Sequence, residues 1–103
     1  MNIKKLATLF ARQFANLQAG SVGAMTVNKN TYQDFTVTFD HAFDSTPVVV
    51  VGLVSGSTGY GSGNLSVSVI SASTTGFTGR VFNADGTSNS RSPALRWIAM
   101  NKI

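Results

Sequence analysis

Asp34, Asp40, Asp44 and Asp85 are the only side-chain carboxylates in this chain, which has no Glu, no Cys and one histidine, His41. Acid–base, metal and nucleophilic chemistry would all have to draw on this short supply. Asp34 and Asp40 are six residues apart, so a strand would show both on one face, as paired carboxylates for glycoside hydrolysis require. At about 3.3 Å per residue they would lie about 20 Å apart, beyond the separation that either glycosidase class uses. His41, beside Asp40 at a strand-to-loop corner, reads as a surface turn residue, and a His-based metal cluster or triad would need another subunit. Asp40 and Asp44 match no calcium-loop spacing. The run Gly56-Ser57-Thr58-Gly59-Tyr60-Gly61-Ser62-Gly63 lacks the Lys-Ser/Thr ending of a phosphate-binding loop. Catalysis, a metal and a cofactor are therefore not expected.

Recognition is better supplied. Glycans are held by aromatic faces together with short polar side chains that match hydroxyls. Tyr60, Asn64, Ser66, Ser68, Arg80, Asn83 and Asp85 are such groups, with Tyr60, Ser66, Arg80 and Asp85 the expected carbohydrate contacts. Tyr60 lies in the glycine-rich connection and Asp85 in a second polar one, 83–93, and loops at a sandwich end often carry binding. Trp97, within Leu95-Arg96-Trp97-Ile98-Ala99, reads as core.

With 103 residues the chain is one domain. Charged residues are 12% of it, about half the usual share, while 43% is apolar, which describes a folded β-rich domain with some surface hidden in an assembly. The formal charge of +4 does not predict nucleic-acid binding. Lys4, Lys5 and Arg12 precede residue 20, and beyond it Lys29, Arg80, Arg91, Arg96 and Lys102 are nearly balanced by the four Asp, leaving no basic stripe. No apolar run reaches the roughly 20 residues of a membrane span, so no membrane insertion is expected. Lys4-Lys5 precede apolar residues as in a signal peptide, but the stretch from Leu6 to Ala11 is short for one and the N-terminus is expected to be retained.

Two periodicities organise the chain. Ile3, Ala7, Phe10, Phe14 and Leu17 follow 4-3-4-3 spacing, the seam of a coiled coil, and predict a helix over 2–18 that Gly20 and Gly23 end. From there the period becomes 2. Strands are expected at Phe35–Phe39, Val48–Val54, Leu65–Val69, Phe77–Phe82 and Ala94–Met100, with a weaker one at Ala24–Val27. The continuous apolar run Val48–Val54 predicts a central strand covered on both sides. The expected architecture is all-β: a six-stranded antiparallel sandwich over 21–103, preceded over 1–20 by one oligomerisation helix.

In order along the chain, Val37-Thr38-Phe39, Phe43, Pro47-Val48-Val49, Asn64-Leu65-Ser66-Val67, Thr75-Gly76-Phe77 and Trp97-Ile98-Ala99 resemble the H-type lectin domain, especially versions at the tips of bacteriophage tail fibres. The resemblance covers about residues 33–103. It implies a six-stranded sandwich that assembles as a homotrimer, with a galactose-type sugar held near the junction of neighbouring subunits. Ser66 stands where the animal lectins carry Arg, and Ala84-Asp85 where they carry an aromatic and a His. The implied function is a trimeric tail-fibre or receptor-binding tip in a virion, attached to a host cell-surface glycan and with other tail proteins as further partners, its N-terminal coiled coil joined to the shaft. A purely structural tail module and a free soluble lectin are the alternatives.

Overall fold

The computed structural model describes residues 3, 16–23, 25–54, 65–84 and 92–101. Six strands are present: β1 (Leu17–Val22), β2 (Thr31–Thr38), β3 (Val48–Leu53), β4 (Leu65–Ala72), β5 (Gly76–Asn83) and β6 (Leu95–Met100). They form two three-stranded antiparallel sheets, ordered β1-β6-β3 and β2-β5-β4. Each sheet turns one face inward, and the inward residues follow from alternation along the strands, broken in β4 by an irregularity between Val69 and Ser71. Phe35 and Val37 of β2, Phe77 and Val81 of β5, and Val67 and Val69 of β4 meet Trp97 and Ala99 of β6 and Val49 and Val51 of β3.

Aromatic rings dominate this core. Phe77 packs edge-on against Phe35 (6.0 Å between centroids) and Trp97 (5.7 Å), and Phe39 lies 5.0 Å from Phe43 and 5.6 Å from Trp97. Rings this large fit a small sandwich only where their cross-strand neighbours are small. Gly79 pairs with Phe35 and Gly20 pairs with Trp97, and in each case the ring lies over the position a Cβ would occupy. A Gly79→Ala change is expected to force the Phe35 ring aside and cost about 1–3 kcal/mol as overpacking, read as a lower urea midpoint with unchanged slope.

The two sheets are tied at their margins by side-chain amides. Gln18 of β1 donates through Nε2 to the His41 carbonyl (2.8 Å) and its Oε1 accepts from the His41 N–H (3.4 Å). Asn101, just after β6, donates to the Ser45 carbonyl and accepts from Ser45 Oγ (3.0 Å). Both clasps hold the connection between β2 and β3 against the opposite sheet. His41 is exposed and serves here through its backbone.

Three expectations are corrected. Leu17 and Gly20 are strand, not the end and terminator of a helix: β1 satisfies its backbone groups against β6, and its burial alternates with period 2. β1 runs through residue 20, and of the anticipated first strand at 24–27 the described residues 25–27 hold a single bridge residue, Val27. The Val48–Leu53 run is an edge strand rather than a central one. Of the helical seam, Ala7, Phe10 and Phe14 lie outside the described residues, and Ile3 is exposed.

Candidate ligand-binding surface

Alternation that sends Phe35 and Val37 inward sends Tyr32, Asp34, Thr36 and Thr38 to the outer face of β2. The same rule turns the half-buried Thr78 and Arg80 and the exposed Phe82 outward on β5, and exposes Ser66 and Ser68 on β4. Register then sets them in rungs. Tyr32, Phe82 and Ser66 form one, and Asp34, Arg80 and Ser68 form the next. The face that results combines two exposed aromatic rings, one acid, one guanidinium and short hydroxyls.

Arg80 is its centre. Its Nε donates to Asp34 Oδ1 (2.7 Å) and its Nη2 to Oδ2 (3.1 Å), a two-pronged pair between adjacent strands. The guanidinium carbon also lies 4.0 Å from the centroid of the Tyr32 ring, within cation–π range. Hydrogen bonds from Arg80 hold the Asp34 carboxyl below its ordinary 3.8, and Asp34 in turn raises Arg80. Both side chains remain about two-fifths exposed, so water and salt screen the pair and its worth lies more in orientation than in stability. Because the folded-state carboxyl titrates below its unfolded value, its contribution to stability is present above pH 3.8 and disappears as pH falls through the lower folded value. A small stability gap between the native chain and Asp34→Asn is therefore expected at pH 6, closing as pH drops below 3.8 and shrinking with added salt, as chemical denaturation across pH would show.

Of the residues expected to contact carbohydrate, Ser66 and Arg80 come together on neighbouring rungs, while Tyr60 and Asp85 lie outside the described residues. Asn83 does not belong to a surface: it is 0% exposed and its Nδ2 donates to the Val27 carbonyl (3.1 Å), tying the bridge segment to the end of β5. Trp97 packs inward, as its apolar neighbours predict. Tyr32, Asp34 and Phe82 were missed as surface partners. Their alternation is visible in the sequence, but the pairing that sets Asp34 beside Arg80, 46 residues away, is not. At the opposite end of the same sheet, Thr36, Thr38, Ser71, Ser73 and Thr78 line an open groove of about 440 Å³.

The outer face of the second sheet has a different character. Its rungs are Leu17, Met100 and Val48; then Ala19, Ile98 and Val50; then Ser21, Arg96 and Gly52. Val48 and Val50 are 67% and 60% exposed, and Leu17, Ile98 and Met100 also lie open. Two successive rungs carry no polar side chain at all. Large contiguous exposed apolar surfaces mark interaction sites in soluble proteins.

Known proteins share this framework. The tailspike protein gp49 of Pseudomonas phage LKA1 is 27% identical over 81% of this chain, with a TM-score of 0.63. A fibre of the Pseudomonas aeruginosa R1 pyocin is 22% identical over 84% of the chain, TM-score 0.61. An N-truncated R1-type pyocin tail fibre is 18% identical, TM-score 0.58, and the match spans 99% of this chain and 98% of that one. The chain spans only 14% of the LKA1 tailspike and 23% of the first pyocin fibre, so it corresponds to a small part of each. No curated protein sequence matches it. The H-type lectin domain family matches residues 34–100, from Asp34 on the polar face to Met100 on the apolar one. With about two thirds of its length inside that match, this chain belongs to the H-type lectin domain family.

Proposed function

We propose that this domain is a tail-fibre or receptor-binding module of a phage or phage-like particle, which assembles as a homotrimer and attaches to a host cell-surface glycan. The observation that carries the proposal is the contrast between its two outer faces: one apolar over two full rungs, the other hydroxyl-rich with exposed rings. The first suits burial against other copies of the chain. The second suits a hydroxylated ligand. Family membership and likeness to tailspike and pyocin fibre structures support the same role.

Assembly and attachment depend on each other physically. One sugar contact is weak, and three linked sites raise the effective concentration of the second and third. Exposed Ile3 is consistent with an N-terminal seam of Ile3, Ala7, Phe10 and Phe14 that joins the copies and leads toward a shaft. Tyr60, Ser66, Arg80 and Asp85 are the carbohydrate contacts in this reading, and a virion tail its location. Glycan-array screening of the full chain tests it. Binding to at least one bacterial surface glycan is predicted. An assembled chain that binds none would instead be a structural module of the fibre.

A further inference from the structure

We propose that the rungs Tyr32–Phe82–Ser66 and Asp34–Arg80–Ser68 form a saccharide site selective for uncharged sugars over acidic ones. The inference rests on the glycan-binding role above and specifies its place and its ligand class. Sugar rings have apolar C–H faces and a rim of hydroxyls, so a site needs exposed aromatic surface and, beside it, groups that donate and accept. Tyr32 is 54% and Phe82 38% exposed, and they are cross-strand partners on one rung; the Arg80 guanidinium covers one face of the Tyr32 ring, which leaves its other face and the Phe82 ring for a sugar. One rung away, Asp34 has carboxylate lone pairs beyond the two that Arg80 occupies, and Arg80 has guanidinium N–H groups beyond those given to Asp34. A vicinal diol can donate to the first and accept from the second.

Charge decides the selectivity. Asp34 and Arg80 are the only ionised side chains on β2, β4 and β5, and they neutralise each other. An incoming uronate or sialate would meet a guanidinium already engaged by a carboxylate and would be repelled by that carboxylate at close range. A neutral sugar loses nothing by this arrangement. The pairing also pre-orients both groups, so little side-chain freedom remains to be lost when the ligand arrives.

The test is an NMR titration of the full chain with maltotriose, mannotriose and galactotriose as neutral probes and trigalacturonate as the acidic one. At least one neutral probe is expected to shift the Arg80 Nε–H and the Tyr32 and Phe82 ring signals, and to bind at least tenfold more tightly than trigalacturonate. Tyr32→Ala, Phe82→Ala and Asp34→Asn should each weaken that binding tenfold or more while amide dispersion shows the fold intact. Shifts confined to the groove at Thr38, Ser71 and Ser73, or tighter binding of trigalacturonate, would overturn the assignment while leaving glycan attachment standing. Probes that shift nothing would overturn the assignment too. Glycan attachment itself would fall only if the array were also blank.

Discussion

Phe77→Ala should cost about 3–5 kcal/mol, the largest loss expected of any single truncation in this domain. Phe77 is 2% exposed and touches three other rings, Phe35, Phe39 and Trp97, which come from β2, the segment after it, and β6. It is the point where both sheets meet through one side chain. Removing it deletes the burial of an aromatic ring and leaves a cavity that its stiff neighbours cannot fill, because Phe35 is already held over Gly79 and Trp97 over Gly20. Domains of this size have about 5–15 kcal/mol of stability in total. The melting temperature should fall by roughly 12–40 °C, given about 4–8 °C per kcal/mol, and calorimetry reads it directly. A drop of only a few degrees would mean that the sheets are held chiefly by something other than this ring cluster.

On the proposed self-association through the β1-β6-β3 face, Val50→Asp should disperse the copies while leaving each chain folded. Val50 sits on the edge strand of the apolar face, in the rung with Ala19 and Ile98, and its side chain lies outside the core cluster of its own chain. An exposed edge-strand position tolerates Asp in an isolated chain at small cost. In a self-associated face the same carboxylate would be buried without a partner, at several kcal/mol per copy. At about 1.4 kcal/mol per tenfold, self-association should weaken at least a hundredfold. Sedimentation velocity would show the sedimentation coefficient falling to that of a single chain, with an unchanged circular dichroism spectrum. Unaltered sedimentation would place the contact between copies elsewhere.

Much of the sandwich was legible because alternation is a local signal. Phe35-Val37, Leu65-Val67-Val69 and Phe77 through Phe82 each announce one apolar and one polar face, and β2, β4 and β5 lie there. β1 was hidden for a physical reason. Gln18, Ala19, Gly20 and Ser21 carry too little apolar side chain to show a period, and Leu17 happens to continue the helical spacing of the preceding residues. Only the ladder to β6, about 80 residues away, makes them a strand. The Val48–Val51 run was read correctly as apolar on both faces and wrongly as central. Its second face is covered by nothing in the described chain, because sequence pattern records that a face needs cover without recording who supplies it. The candidate saccharide site was half legible. Arg80 and Ser66 stood out by type, whereas Tyr32, Asp34 and Phe82 joined them only through register, and Asn83, polar by type, proved to be an internal clasp.

Whether copies of this chain cover one another's β1-β6-β3 face can be measured with a soluble nitroxide and methyl-labelled protein. In a single chain the methyls of Val48, Val50, Leu17 and Ile98 are open to solvent and would broaden like any surface group. On the proposed self-association they should be shielded, while the exposed Thr36 and Thr38 methyls on the opposite sheet broaden fully. Equal broadening on both faces at assembly-favouring concentrations would contradict self-association through this surface.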